Sequence, residues 1–459
     1  MDKNSLPVYC KVDVVVCGGG TAGVFAAIAA AEQGKKVLLV EQFGSIGGTA
    51  TNALVTPLMG THIDGNPHCS YIGNKLTSRI YAYGGSNNTG AKFDPLILKI
   101  VLEELCVEAG VKFLYHTFIA DVVKDDNKIT GIVIVNKKGM QVVEADMFID
   151  CTGDGDVSVL ANASYSKGNP ETGKCQPISL RYIVGCIDLP AVGAFFKSEV
   201  ERTGINVAIN YDVNSENGIY GAVTGNGVWT LTDLFERAIA NGDLDEDDKF
   251  YWQAFSVPGR KDSLAFNNPE FFDDIDGTDP DHLTKAQIEG RRRIYRQLMF
   301  YKKYMKGFDN AYISEIAPMV GIRETRNIDA EYILTAEDLI CRHKFEDAIC
   351  QSNYPVDIHG RALDFTNYSK PVDDGRPYYE IPYRSLVVKG VDNLLVAGRC
   401  LGAEFLAQSS LRIQLSCRAT GEAAGISAAF AIDKKVLPRD IDGKEVRAEM
   451  EKRGAIFAK

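Results

Sequence analysis

The sequence has no long apolar run, no excess of positive charge and no closely spaced cysteine pair. No stretch approaches the roughly 20 apolar residues of a membrane-spanning helix, and the first residues lack the apolar segment of a secretion signal, which favours the cytoplasm. A net charge of −11 argues against nucleic acid or an anionic membrane as a partner. The eleven cysteines have no zinc or iron–sulfur spacing, so we expect reduced, mostly buried thiols and no metal site.

The chain is long enough for two closely joined domains. Its 459 residues exceed what a single hydrophobic core usually organises. An apolar content of 45% with 24% charged residues is ordinary for a soluble globular protein. We therefore expect a large buried core and an acidic surface.

A strand, a glycine turn and a helix open the chain. Residues 12–16 carry valine at four of five positions, which predicts a strand buried on both faces, and the alanine-rich residues 24–32 predict a helix that packs closely on it. Between them, Gly18, Gly20 and Gly23 have the spacing of a dinucleotide-binding turn. The first glycine permits the tight turn, the second lets the backbone approach a pyrophosphate, and the third lets helix and strand touch.

The context of this turn favours a bound dinucleotide. The start of the helix offers free N–H groups to an anion, and the next strand ends at Glu41, whose carboxylate can accept hydrogen bonds from ribose hydroxyls. The alternative is a glycine-rich turn with no ligand. We favour the dinucleotide because strand, helix and acid occur in the expected order.

A second glycine-rich loop, residues 42–52, follows Glu41 almost immediately. FAD needs such a loop, and NAD does not, because FAD runs on past its pyrophosphate toward the flavin. Here the chain resembles FAD-dependent oxidoreductases with the glutathione-reductase type of FAD fold, in which an acid is followed by a Gly-Gly pair. The redox cysteine pair of the disulfide reductases is missing from residues 49–59, and no histidine for covalent flavin attachment lies in this region. The resemblance therefore implies noncovalent FAD.

The rest of the chain agrees with an α/β fold of this kind. Strand-like segments in residues 111–148 predict a β-meander, and residues 391–400 return to the buried strand and glycine turn typical of the cofactor domain. The expected architecture is a Rossmann-like FAD-binding domain of parallel sheet, helices and β-meander, with an inserted α+β substrate or cap domain. The predicted bounds are residues 1–167 and 380–435 for the FAD-binding domain, 168–379 for the substrate domain and 436–459 for a C-terminal tail that packs on the domain.

Three further segments bear on the site. Residues 60–92 show little periodicity and predict a loop region over the cofactor, with His62 and His68 as loop residues. A capping box beginning at Thr284 predicts the start of a long helix, whose arginine run we interpret as a solvated face. Residues 414–432 predict a final helix whose N-terminus we expect at the pyrimidine edge of the flavin.

Four motifs make the resemblance more specific. Residues 321–326, 354–359, 381–386 and 397–400 together resemble the bacterial flavoproteins called fumarate-reductase-like. That subgroup implies a cofactor and a fold rather than a substrate. Many relatives place an acid after Ala-Gly where Arg399 stands, so the contact there must differ.

The motifs and the resemblance together predict a set of FAD-binding residues. They are Gly18, Gly20, Thr21, Ala22, Gly23, Glu41, Gln42, Gly48, Thr49, Ile119, Thr152, Gly153, Gly398, Arg399, Leu411, Arg412 and Ile413.

The candidate catalytic residues are His359, Arg323 and Arg326. A guanidinium group offers permanently charged, bidentate donors to an anionic or carbonyl-bearing substrate. Histidine titrates near neutrality and suits a general acid or base. The alternatives are a structural ion-pair network for the two arginines and a hydrogen-bonded structural role for His359.

These residues predict an oxidoreductase that transfers a hydride between flavin and a small polar metabolite bearing a carboxylate or hydroxyl group. No second GxGxxG occurs in a strand and helix context, so electrons must pass through the substrate, a diffusible carrier or a transiently bound nicotinamide. A flavin-dependent monooxygenase is the alternative within the enzyme class. A non-catalytic binding protein on an FAD fold is the third possibility, although such proteins usually lose the cofactor loops that are intact here. Substrate, reaction direction and oligomeric state are left open by the sequence.

Overall fold

The computed structural model of the chain describes residues 3–59, 63, 69–87, 90–215, 218–224, 228–359 and 377–458, so His62 and His68 lie outside the described residues. The helices are α1 Thr21–Glu32, α2 Tyr71–Ala82, α3 Pro95–Ala109, α4 Asp156–Leu160, α5 Leu189–Thr203, α6 Thr232–Ala240, α7 Pro280–Tyr304, α8 Ala336–Ile340, α9 Phe405–Leu411, α10 Gln414–Lys434 and α11 Gly443–Arg453. The strands are β1 Val8–Cys17, β2 Val37–Val40, β3 Lys112–Leu114, β4 Phe118–Asp125, β5 Lys128–Asn136, β6 Gly139–Asp150, β7 Tyr165–Lys167, β8 Ile178–Ser179, β9 Tyr182–Gly185, β10 Ile209–Asn210, β11 Tyr220–Thr224, β12 Tyr251–Ser256, β13 Leu264–Phe266, β14 Glu270–Phe271, β15 Tyr312–Ile316, β16 Arg326–Ile328, β17 Ala348–Ser352, β18 Tyr379–Pro382 and β19 Leu394–Val396.

The first sheet contains the dinucleotide-binding strand at its centre. Its order is β3-β2-β1-β6-β5-β4, and β19 also pairs with β6. Strands β1, β2, β3, β6 and β19 are parallel to their neighbours in this group, whereas β4, β5 and β6 form an antiparallel meander. The long strand β6 joins the two parts, since its first half pairs with β5 and its last three residues pair with β19. The predicted α/β fold class is confirmed, with its parallel sheet and β-meander.

The second sheet is antiparallel, in the order β10-β11-β12-β13-β9-β15. It has its own hydrophobic core, separate from the core around the first sheet. Aromatic rings dominate that core: Phe266 stacks with Tyr182 and with Tyr301, with ring centroids 4.9 Å apart in each pair. The bounds that the sequence assigns to a substrate domain, residues 168–379, stay a prediction.

Helices α1 and α10 cross in close contact beside the first sheet. A Cβ atom at Gly421 would lie 2.1 Å from the carbonyl oxygen of Ala22, and one at Gly425 would lie 2.3 Å from that of Ala26. Only glycine lets the two backbones approach this closely. The crossing brings the beginnings of both helices to the same cavity, which Gly20 and Ile413 line.

The prediction of a loop over residues 60–92 is wrong for its central part, which forms helix α2. Ser70 caps this helix, because its hydroxyl oxygen accepts the N–H of Gly73 at 2.9 Å. The carboxylate of Glu422 in α10 then accepts the Ser70 hydroxyl at 2.6 Å and the N–H of Ile72 at 3.2 Å. Because Glu422 is distant in the sequence, residues 60–92 alone give little indication of this helix.

Helix α7 begins before the capping box that the sequence suggests. Asp279 is the actual cap, since its carboxylate accepts the N–H groups of Asp281 at 2.8 Å and His282 at 3.3 Å. Pro280 occupies the first helical position, where proline is favoured. Thr284 therefore lies inside the helix, and its hydroxyl bonds back to the carbonyl of Pro280 at 2.7 Å. Across the described ranges, no helix combines the length and apolar character needed to cross a bilayer.

Candidate active site

A cavity of about 920 Å³ lies where the parallel strands end and the antiparallel sheet faces them. Its walls include residues of the glycine turn and of the connections after β2, β6 and β19, together with residues around β8, β9 and β12 of the other part. Every residue predicted to bind the cofactor or to act in catalysis lines this cavity except Gly23 and Leu411. Leu411 is buried in the core at the end of α9.

Gly23 supports the cavity from behind. A Cβ atom at this position would lie 1.9 Å from the carbonyl oxygen of Gly18, so a side chain would push helix α1 away from β1. Gly18 itself has a φ of +91°, which an L residue rarely adopts. Both glycines are needed for this turn: Gly18 lines the cavity, and Gly23 lets helix α1 contact the end of β1.

Glu41 is more tightly held than the sequence suggests. Its carboxylate accepts the N–H of Gly19 at 2.7 Å and the N–H of Phe43 at 2.8 Å. Burial raises the pKa of Glu41, and these backbone hydrogen bonds oppose the rise. A carboxylate has about four acceptor positions, so the predicted contact with a ribose diol remains available beside the backbone bonds.

The two helix N-termini at the cavity fit the pyrophosphate and the flavin of FAD. Neither α1 nor α10 has a side-chain hydrogen bond at its cap, so their first N–H groups are available to an anion or to the flavin edge. Buried polar atoms in the cavity wall also lack a hydrogen-bond partner among the described residues. They are Ser179 Oγ, Asn267 Oδ1, Arg412 Nε and Gln414 Oε1. A polar, extended ligand would satisfy them, as FAD with a substrate would.

Arg399 occupies the position where many relatives have an acid. Its guanidinium donates to Asp154 at 2.8 Å and lies against Gly153, where a Cβ atom would be 2.8 Å from the guanidinium. The arginine therefore links the turn after β19 to the turn after β6. The arginine that stands in place of the usual acid therefore has Asp154 as its partner.

The predicted catalytic residues His359 and Arg323 meet at a buried carboxylate that sequence reasoning missed. Glu270 Oε1 lies 2.9 Å from Nδ1 of His359 and 2.9 Å from a guanidinium nitrogen of Arg323. The ring of Tyr251 contacts His359, with centroids 4.9 Å apart, and Arg323 also lies over that ring. Glu270 gives little signal in the sequence because it stands in a short strand far from both partners.

Arg326 belongs to a different contact. Its guanidinium donates to the Asp156 carboxylate at 2.8 Å and to the carbonyl of Asp154 at 3.0 Å. The structure therefore separates the two arginines that the sequence groups. Arg323 joins the buried cluster with His359, whereas Arg326 lies beside the turn that follows β6.

Charge and burial set the protonation of this cluster. Burial would raise the pKa of Glu270, but Arg323 and His359 hold that pKa below its ordinary value. Burial, with the nearby Arg323 charge, lowers the pKa of His359. His359 is therefore neutral at pH 7, with Nδ1 2.9 Å from Glu270 Oε1 and Nε2 3.7 Å from Asp357 Oδ1.

Two more arginines lie nearby. Arg412, predicted from the sequence to contact the cofactor, donates to the Asp357 carboxylate at 3.2 Å. Arg181 was not predicted, although a charged residue within the mostly apolar residues 178–184 was a usable signal. Arg181 is 9% exposed and lines the cavity, and its guanidinium has no hydrogen bond or ion pair with any residue the structure describes. Burial lowers the pKa of Arg181 to about 9.

Parts of the chain are similar to known proteins of two kinds. The chain is 30% identical over 152 residues to a thiamine thiazole synthase of Methanococcus aeolicus, a match of 31% of this chain and 55% of that protein. It is 39% identical over 75 residues to a dihydrolipoyl dehydrogenase of Trypanosoma brucei brucei, 16% of each chain. The chain thus spans about half the length of the thiazole synthase.

A solved structure also aligns over most of the chain. It is a geranylgeranyl bacteriochlorophyll reductase-like protein of Thermoplasma acidophilum, with 13% identity, a TM-score of 0.47, and coverage of 96% of this chain and 82% of that one. The fumarate-reductase-like subgroup and a bacterial origin stay predictions.

The family comparison covers nearly the whole sequence. The profile described as FAD dependent oxidoreductase matches residues 13–450, which include both helix N-termini and the buried cluster. The protein therefore belongs to the FAD-dependent oxidoreductase family, and FAD is its cofactor.

Proposed function

We propose that the protein oxidises or reduces a small polar metabolite by hydride transfer, with His359 handling the accompanying proton. The observation that carries this proposal is the contact between His359 and Glu270 at the cavity that the FAD-binding residues line. Bound FAD supplies a two-electron acceptor or donor. The protein must then bind the metabolite, orient it and move one proton.

His359 is suited to that proton transfer. Its Nδ1 faces the buried Glu270 carboxylate, and its ring packs on Tyr251, so both its tautomer and its orientation are fixed. Nε2 is left as the atom that takes a proton from a substrate hydroxyl or amine, or returns one in the reverse direction. Arg323 holds Glu270 ionised and is therefore a positioning residue in this proposal.

We also propose that the antiparallel sheet, within residues 168–379, is the substrate domain. Arg181, Tyr251 and Arg323 come from this part of the chain and line the cavity together with the glycine turn. The FAD-binding domain then contributes the nucleotide contacts. A substrate would lie between these two parts.

The direct test is anaerobic mixing of the yellow holoenzyme with a panel of hydroxy acids, amino acids and polyols. Bleaching of the flavin absorbance by one donor, with a matching oxidised product, is the expected result. NAD(P)H consumption coupled to substrate hydroxylation in air would replace this proposal with a monooxygenase. Protein that binds no flavin at all would instead favour a non-catalytic binding protein.

The pH dependence of flavin reduction should follow His359. A base must be neutral, and the pKa of His359 is lowered from its ordinary value near 6.5, so the rate should be constant around pH 7 and fall as the pH drops through the lowered pKa. In His359→Gln, the rate at pH 7 should fall about 10²- to 10⁴-fold and this acid limb should vanish. Stopped-flow measurements with one donor across this pH range provide the check.

The matched control is His343→Gln, because His343 is half-exposed and pairs with Asp338 away from the cavity. This variant should keep both the rate and the acid limb. An unchanged acid limb in His359→Gln would remove His359 from the role of base.

A further inference from the structure

One buried cation in the cavity wall forms no ion pair with a described residue. Arg181 lies between β8 and β9, and its guanidinium is buried against Tyr251 and the neighbouring cluster without an ion pair to any described residue. A buried cation is costly unless it is paired and hydrogen-bonded. A residue of this kind in a binding cavity indicates a negative ligand.

The other cations of the cluster are already paired. Arg323 pairs with Glu270 at 2.9 Å, and Arg412 pairs with Asp357 at 3.2 Å. His359 is neutral for the reasons given above. The cluster therefore carries three positive and two negative charges, and Arg181 is its cation without an ion-pair partner among the described residues.

Two unsatisfied polar atoms lie in the same wall. Ser179 Oγ and Asn267 Oδ1 are buried without a partner among the described residues, and both residues line the cavity with Arg181. The amide nitrogen of Asn267 donates to Tyr251 and Gln253, so its amide oxygen is the atom that still needs a donor. A ligand hydroxyl or amine would supply that donor.

We propose that Arg181 binds the carboxylate of a substrate with one negative charge, a monocarboxylic acid whose hydroxyl or amino group is held by Asn267 or Ser179. This inference rests on the proposed function, because it assumes that the cavity receives a substrate beside FAD. It assigns the substrate-binding role to Arg181 rather than to the paired Arg323. It also distinguishes the substrate from a dicarboxylate, whose second charge would have no partner in the cluster.

A cation kept for a ligand should destabilise the protein when the ligand is absent. Arg181→Met removes the unpaired charge and keeps much of the apolar contact of the side chain. We expect the melting temperature of the ligand-free holoenzyme to rise by about 2 °C or more. A structural arginine would show the opposite sign, so this readout separates the two roles.

Ligand binding provides the second readout. The probes are monocarboxylates of two to six carbons, with and without a 2-hydroxyl group, their primary amides, and dicarboxylates of equal chain length. Binding is followed in chloride-free buffer by the absorbance of oxidised flavin and by calorimetry, neither of which needs turnover. We expect a monocarboxylate to bind more tightly than its amide and its dicarboxylate, and Arg181→Met to weaken that binding by about 30-fold or more.

Arg181→Lys keeps the charge without the bidentate fork, so its affinity should lie between those of the wild type and Arg181→Met. The matched control is Arg292→Met, because Arg292 is exposed on α7 and does not line the cavity. It should change neither readout.

Several results would overturn the proposal. They are a lower melting temperature for Arg181→Met, loss of FAD from that variant, equal binding of acids and amides, or no binding by any monocarboxylate of the panel. Failure of hydride transfer is separate: a monocarboxylate that binds through Arg181 but never bleaches the flavin refutes the reaction and leaves the binding site. A donor that reduces the flavin equally fast in Arg181→Met refutes the binding role of Arg181 and leaves the proposed reaction.

Discussion

Replacing Glu270 with glutamine should lower the free energy of unfolding at pH 7 by about 3–5 kcal/mol. The Glu270 side chain is completely buried and is the counter-charge of Arg323, so in the glutamine variant the buried guanidinium loses its ion pair and keeps its hydrogen bond to the carbonyl of Pro177 at 2.6 Å. His359 also loses the carboxylate that fixes its tautomer. Urea denaturation of the holoenzyme, followed by circular dichroism, measures the difference.

The effect should depend on pH in a defined direction. The pKa of Glu270 is lower in the folded protein than in the unfolded chain, so its stabilisation is complete above the unfolded pKa of about 4.3. The stabilisation is lost as the pH falls through the lower folded pKa. The gap in stability between wild type and Glu270→Gln should therefore narrow only in acid.

The control for this prediction is Glu346→Gln, which breaks an exposed pair with Lys444. An exposed pair contributes at most about 1 kcal/mol, so that variant should differ little from the wild type. A Glu270→Gln effect no larger than the control would mean that the buried cluster does not depend on this carboxylate.

Replacing Gly23 with alanine should weaken FAD binding by about 5- to 150-fold. The added Cβ atom would lie 1.9 Å from the carbonyl oxygen of Gly18, so helix α1 must move away from the turn predicted to hold the pyrophosphate. Overpacking of this kind costs about 1–3 kcal/mol, and each 1.4 kcal/mol is a factor of ten in affinity. Titration of the apoprotein with FAD, followed by flavin fluorescence, gives the dissociation constant.

Gly34→Ala is the matched control at the other end of the same helix. Nothing lies within 4 Å of a Cβ atom there, although the φ of +80° costs an alanine about 1–2 kcal/mol of stability. The control should therefore lower stability and leave the FAD affinity unchanged. Equal FAD affinities in the two variants would contradict the role given to Gly23.

The FAD-binding part could be predicted because its signals are local. The turn at Gly18, the valine-rich strand before it and the acid at Glu41 lie close together in the sequence, and each residue type has a direct physical reason. The structure places them on one cavity wall, with Gly23 behind it. Strand β19 was recognisable for the same reason, since its apolar residues and the glycine turn after them are adjacent in the sequence.

The substrate side was less predictable because its contacts join distant segments. Glu270, His359 and Arg323 come from separate elements, and nothing in the sequence near Glu270 indicates that two cations meet there. Arg323 and Arg326 are neighbours in sequence but have different carboxylate partners. Spacing alone could not separate their roles, because the chain between them changes direction.

Helix α2 illustrates the same limit for secondary structure. Its N-terminus is bonded to Glu422, a residue of α10, and burial raises the pKa of that carboxyl to about 8. Propensity within residues 60–92 gave no comparable signal, since the decisive contact comes from the other end of the chain.

The crossing of α1 and α10 has a consequence for biosynthesis. The glycine turn leaves the ribosome long before α10, which packs on α1 at Gly421 and Gly425. A nascent chain arrested before residue 414 has the pyrophosphate turn but neither α10 nor the helix start expected at the flavin. Stable capture of the yellow coenzyme therefore has to wait until α10 has been translated.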